Sequence, residues 1–150
     1  MIAVDWHHEA ETLRRLAPRH LLFLCVANSA RSQMAEGIAR SLAPPGVRIS
    51  SAGSVPTRLN PLAVQALAEI GIDISAQRSK RVEDVPPDDV EAVITLCAEE
   101  VCPVFLGKAH RIHWGLPDPA AATGSEAERL QSFRLVRDEL IQRLGVLLRR

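Results

Sequence analysis

Tyrosine is missing from this chain, and the aromatic residues together make up 3% of its 150 positions. A site that grips an aryl ring through stacked aromatics therefore has few side chains to draw on. No excess of either charge is present: 18 Lys and Arg balance 18 Asp and Glu, for a formal net charge of +0. A long-range field that would carry the protein to nucleic acid or to an anionic membrane is excluded on that count. The longest wholly apolar stretch, Leu21 to Ala27, falls far short of the ~20 residues that span a bilayer. The opening segment MIAVDWHHEAETLRR mixes acids with bases and does not read as a secretory signal. A cytoplasmic protein is expected, with neither membrane nor nucleic acid among its partners. The three cysteines, Cys25, Cys97 and Cys102, are an odd number in a chain of this kind. That argues against a static disulfide framework and for thiol chemistry.

What is present is an alternation of short β-like runs with helical periods, free of repeats. HLLFLCV, VRISSAG and VEAVITLC read as strands, with AHRIHWG as a weaker fourth. Met34, Ala35, Ile38, Ala39 and Leu42 form one helical stripe; Leu62, Val64, Ala66, Leu67 and Ile70 form another, closed by Gly71. From about Ser125 to Leu148, apolar residues at spacings of three and four predict a long amphipathic helix. Strands alternating with helices give an α/β domain with a parallel sheet, whose ligands sit beyond the carboxyl ends of the strands. Residues 1–19 read as an N-terminal helical extension, with Trp6, Ala10, Leu13 and Leu16 or Ala17 on one face, and residues 20–150 as the main domain. His7 and His8 are adjacent and so point in different directions on that helix, which speaks against a metal pair.

Cys25 stands at the end of the first strand, five residues before Arg31. In the stretch CVANSARS the chain has room to curl so that the backbone N–H groups of Val26, Ala27, Asn28, Ser29 and Ala30 converge on one tetrahedral oxyanion. Such a nest at the start of a helix is a phosphate-type binding site. The planar fork of Arg31 is suited to holding two equatorial oxygens at once. The same field favours the Cys25 thiolate, with acidities commonly at a pKa of about 3.5–7.5 in such surroundings. Ser32 is placed to donate to the sulfur, and Asn28 to brace the loop. The bland alternative, a small buried cysteine beside a solvated arginine, explains the spacing but not the strand before it and the helix after it.

CVANSARSQMAEG resembles the active-site loop of the low-molecular-weight protein tyrosine phosphatase family, in its arsenate reductase branch. The resemblance covers about residues 20 to 145 and rests further on SAGS, NPLAVQALAEIGIDIS, VITLCAEEVCP, HWGLPDPA and FRLVRDEL. It implies a four-stranded parallel sheet flanked by helices on both faces. It also implies Cys25 as nucleophile, Arg31 and Ser32 as stabilisers of oxyanion and thiolate, and Asp118 as the acid of the DPA loop. A carboxyl beside an apolar loop and a bound anion has its neutral form favoured, which suits proton delivery to a leaving oxygen. Pro and Asp also favour ordinary turns, so the DPA segment gains its meaning from the loop at Cys25.

The resemblance further implies a relay in which Cys97 forms a transient disulfide with Cys25 and Cys102 then captures Cys97. The expected activity is reduction of arsenate to arsenite, with re-reduction by a thioredoxin- or glutaredoxin-type carrier, no bound cofactor, and a monomeric enzyme. The alternative is hydrolysis of phosphotyrosine or small phosphate esters through the same Cys25, Arg31 and Asp118. Relatives acting on phosphotyrosine carry a tyrosine after the DP pair; here Ala120 stands there. Some reductases of this branch bind potassium near the loop. Asn28, Glu36 and Ser51 match part of that ligand set, but Arg78 and Lys80 stand where uncharged or acidic ligands belong, so no potassium site is expected. A zinc module of Cys97, Cys102, His110 and His113 has an irregular spacing, and no metal is expected there.

Overall fold

Strand β1 (His20–Cys25) is buried along its whole length. Its apolar run is continuous rather than alternating because it is covered on both faces. It pairs with β2 (Arg48–Gly53) on one side and β3 (Ala92–Thr95) on the other, and β4 (His110–His113) adds to β3. All pairings are parallel, in the order β2-β1-β3-β4. The computed structural model describes residues 5–98 and 102–148, and everything below refers to these.

The alternation of side chains along β1 divides the core in two. Leu21 and Phe23 enter a large cluster shared with four helices, α1 (Trp6–Leu16), α2 (Arg31–Leu42), α3 (Pro61–Ala68) and α4 (Glu126–Leu148). Leu22 and Leu24 point to the opposite face, where they meet Val82, Val85, Val90, Val93 and Phe105. The crossovers from β2 to β3 and from β3 to β4 supply this second cover. Among the described residues its helical part is two single 3-10 turns, Val82–Asp84 and Pro87–Asp89. Pro86 and Pro87 forbid a longer helix there.

Three of the four α-helices begin on a side-chain cap. Asp5 accepts from His7 N at the start of α1, and Asn60 accepts from Leu62 N with Pro61 in the first turn of α3. Ser125 and Glu128 bond reciprocally to each other's backbone N–H before α4, a capping box. Along α4, Leu130, Phe133, Val136, Leu140, Leu144 and Leu147 are buried, as their spacing predicts.

Two stripes stop earlier than their periodicity suggests. Leu16 is 58% exposed because Ala17 turns into the left-handed region at φ 49° and closes α1, leaving Ala10 and Leu13 as its buried residues. Ile70 is 40% exposed because α3 ends at Ala68 and the chain reverses at Gly71, φ 81°. No described helix is long and apolar enough to cross a membrane. The side chain of Trp114 lies in the core, and the Arg143 guanidinium rests 5.7 Å from its ring centroid and 5.2 Å from that of Trp6.

Candidate active site

The segment between β1 and α2 forms a closed loop whose carbonyls are drawn outward. Val26, Ala27 and Ser29 accept from the backbone N–H groups of Val55, Thr57 and Asn60, each at 2.9 Å. Asn28 adopts the left-handed conformation, φ 48°, which asparagine tolerates better than most residues. Gly53 makes the close approach possible: a Cβ there would collide with Val26 O and lie 2.9 Å from Cys25 O. Helix α2 starts at Arg31 without a side-chain cap, so its first N–H groups open toward the loop.

Cys25 is a free thiol and is buried. Its Sγ lies 2.8 Å from Ser32 Oγ. Asn28 Nδ2 donates to Ser32 Oγ at 2.8 Å and to Ser51 Oγ at 2.9 Å, while Ser51 Oγ donates to Glu36 Oε1 at 2.6 Å. A Cys25 thiolate can only accept, and with Asn28 donating to the Ser32 oxygen the hydroxyl proton is available to that sulfur. The amide orientation of Asn28 is fixed from its other side, where Oδ1 accepts from Lys80 N at 2.8 Å and Gln33 Nε2 at 3.0 Å.

Arg31 is buried, and its Nη1 donates to the carbonyls of Leu116 at 3.0 Å and Leu96 at 3.4 Å. These carbonyls belong to the segments leading to Asp118 and to Cys97, so the guanidinium is held between the two parts of the molecule that carry the other expected groups. Asp118 caps the short turn Pro119–Ala121, accepting from Ala120 N at 3.0 Å. A cavity of about 170 Å³ is lined by Cys25, Val26, Ala27, Ser29, Ala30, Arg31 and Asp118. The structure thus gathers Cys25, the loop, Arg31 and Asp118 around one volume suited to a small anion. Cys97 and Cys102 are joined to each other by a disulfide, with Cα atoms 5.6 Å apart. This pairs the two sulfurs with one another rather than with His110 and His113.

Residues 20–150 match the family model described as low molecular weight phosphotyrosine protein phosphatase. The chain belongs to this family. Within it, the chain is similar to an arsenate reductase of Bacillus subtilis (strain 168), with 44% identity over 126 residues, 83% of this chain and 91% of that protein. A solved arsenate reductase in the phosphate binding state superposes with a TM-score of 0.72 at 34% identity, covering 87% of this chain and 96% of that one. An arsenate reductase in oxidized state gives 0.72 at 33% identity, with the same 87% and 96% coverage.

Glu36, buried under the phosphatase-family loop, is neutralised by side chains. Arg40 Nη1 lies 2.6 Å from its Oε2, and Lys80 Nζ lies 3.5 Å from Oε1 and donates to Arg78 O at 2.7 Å. An ammonium group so placed repels a metal cation, and the set Asn28, Glu36 and Ser51 does not fit potassium here. Arg78 contributes its carbonyl rather than its charge. The reading of the sequence missed Gln33, whose Nε2 donates to Asn28 O, Asn28 Oδ1 and Arg78 O at 3.1, 3.0 and 2.9 Å. It is fully buried in the polar first turn of α2, beside Arg31 and Ser32, and nothing in its residue type sets it apart from them.

Proposed function

We propose that this chain reduces arsenate to arsenite, with Cys25 as nucleophile and Cys97 and Cys102 as an internal dithiol. The observation that carries the reading is the division of its three cysteines: one free and buried in an anion-sized cavity, the other two bonded to each other. The likeness to arsenate reductases in two states, one of them oxidized, supports it.

The Cys25 sulfur attacks arsenic, an As–S bond forms, and an As–O bond breaks as Asp118 delivers a proton to the departing hydroxyl oxygen, which leaves as water. The loop N–H groups and Arg31 hold the remaining oxygens. The Cys97 sulfur then attacks Cys25 Sγ. An S–S bond forms, the As–S electron pair stays on arsenic, and As(V) leaves as As(III) in arsenite. Cys102 attacks Cys97, Cys25 departs as thiolate, and the Cys97–Cys102 disulfide results. An external carrier of the thioredoxin type, or glutaredoxin with glutathione, returns two electrons. A dithiol that must be regenerated in every cycle suits the reducing cytoplasm.

Hydrolysis of small phosphate esters uses the same Cys25, Arg31 and Asp118 and is the second reading. Among the described residues, no aromatic side chain lines the cavity to receive a phenyl ring, which favours a small inorganic oxyanion. The deciding experiment is arsenate-dependent NADPH oxidation with each purified thiol system supplied in turn. Cys97→Ser and Cys102→Ser are expected to abolish multiple turnover, and Cys25→Ser to abolish arsenate reduction and aryl phosphate hydrolysis alike. Arsenate turnover unaffected in both relay variants would refute the proposal.

A further inference from the structure

Lys80 grips the hydrogen-bond chain beneath the active-site loop at two points. Its backbone N–H donates to Asn28 Oδ1 at 2.8 Å, while its Nζ lies 3.5 Å from Glu36 Oε1 and donates to Arg78 O at 2.7 Å. Between those points the path is unbroken: Asn28 Nδ2 donates to Ser51 Oγ at 2.9 Å, and Ser51 Oγ donates to the same Glu36 Oε1 at 2.6 Å. Asn28 Nδ2 also donates to Ser32 Oγ, which lies 2.8 Å from the Cys25 sulfur. A carboxylate can only accept, so Glu36 fixes the direction of the Ser51 proton and leaves a Ser51 lone pair for Asn28. Glu36 is 1% exposed, and a carboxylate so deeply buried requires a cation beside it.

Arg40 and Lys80 divide that carboxylate between them. Arg40 takes Oε2, and Lys80 stands at Oε1, the oxygen that Ser51 also uses. All three charged groups line a cavity of about 730 Å³ behind the loop. Three cations, Arg40, Arg78 and Lys80, face two carboxylates, Glu36 and Asp73, across this cavity, so it keeps one net positive charge. The acceptors around Lys80 Nζ, a carboxylate oxygen and a backbone carbonyl, are the donor types a hard metal cation takes. The region where potassium sits in some reductases of this branch therefore holds a cation here too, but one fixed to the chain.

We propose that the Lys80 ammonium is the built-in counter-ion of the oxyanion site, standing in for a dissociable potassium ion and freeing the enzyme from any dependence on one. A tethered charge acts at an effective concentration that no salt in the medium has to supply. It holds Glu36, Ser51 and Asn28 in the arrangement that leaves the Ser32 hydroxyl to Cys25, and it adds positive potential behind the loop that binds a dianion. Lys80 lines the rear cavity and not the anion cavity, so it is a positioning residue. The inference rests on the reductase reading for the loop as an oxyanion site, but no reduction step enters it.

The test uses the reduced full-length protein with Lys80→Met, Lys80→Arg and Lys80→Ser. Inorganic phosphate binding is measured by calorimetry in potassium chloride and in choline chloride at equal ionic strength, with the phosphate supplied as the salt of the same cation, and the rate of Cys25 alkylation by iodoacetamide is followed alongside. The unsubstituted protein is expected to bind phosphate equally in the two salts. Lys80→Met should bind about tenfold more weakly in both, with slower Cys25 alkylation, and Lys80→Arg should keep most of the affinity. Lys80→Ser opens space beside Glu36 Oε1 and Arg78 O; it should be weak in choline and recover in potassium. Should Lys80→Met not fold, Lys80→Ser in the two salts carries the test. Recovery by arginine or by potassium upholds the counter-ion. A loss that neither repairs, the mark of a merely structural side chain, overturns it, as does full affinity in Lys80→Met or a gain from potassium in the unsubstituted protein. An unsubstituted protein that binds no phosphate would remove the reductase reading instead, and the alkylation rates would then decide on Lys80 by the same comparison of variants and salts.

Discussion

The hydroxyl oxygen of Ser32 lies 2.8 Å from the sulfur of Cys25 and 2.8 Å from the Asn28 amide nitrogen that orients it. Substituting Ser32→Ala leaves both neighbours short of a partner in a buried place. Hydrogen bonds to charged groups are worth about 1.5–3 kcal/mol, which predicts a fall of roughly 10–100-fold in arsenate kcat/KM. Steady-state kinetics at saturating reductant check this, and an unchanged kcat/KM would remove Ser32 from the chemistry.

Arg31→Lys keeps the charge but loses the fork. An ammonium cannot reach Leu116 O and Leu96 O while also holding two oxyanion oxygens. By analogy with loss of one oxyanion donor, transition-state stabilisation should drop by ~2.7–4 kcal/mol. The drop should appear in kcat/KM, with weaker inhibition by inorganic phosphate alongside it.

Gly53→Ala tests the architecture of the loop rather than its chemistry. Because the new methyl would collide with Val26 O, the loop must move or the strand must yield. Overpacking of this kind costs about 1–3 kcal/mol, or a Tm lowered by roughly 3–10 °C. Calorimetry measures the Tm, and phosphate affinity should fall with it; a variant with unaltered Tm and affinity would contradict the tight approach described here.

Glu69, just past α3, bonds to Arg134 and Arg137 on α4. The Arg134 hydrogen bond is the main cause that lowers its carboxyl from the ordinary 4.5 to about 2, against an opposing effect of desolvation and with help from Arg137. A depressed carboxyl contributes stability above its unfolded value and loses it as pH falls through the folded one. The contribution is therefore expected to fade between pH 4.5 and about 2. Urea unfolding should show a steeper acid loss in the unsubstituted protein than in Glu69→Gln. Screening keeps the effect small, since Arg134 and Glu69 side chains are 34% and 33% exposed.

The order of elements and the loop at Cys25 were legible because both are local. A buried strand, a curled polar stretch and a helix start are written in consecutive residues. The approach of Asp118 to Cys25 was legible only through resemblance, since nothing in the spacing of positions 25 and 118 announces it. The carbonyls of Leu96 and Leu116 that hold Arg31 left no trace, because a backbone acceptor has no residue type. Leu16 and Ile70 misled for a related reason: periodicity assigns a face but not the residue at which the helix stops. Lys80 was singled out by its charge, yet its backbone N–H, which fixes Asn28, matters as much and carries no such sign.

Both tryptophans of the protein flank one guanidinium, that of Arg143, and there is no tyrosine to add its own emission. Ultraviolet fluorescence therefore reports on a single spot, where the N-terminal helix, the last helix and the residue following His113 meet. A change of colour or intensity on oxidation would be an intrinsic optical signal of events at the sulfur pair, read without any attached dye.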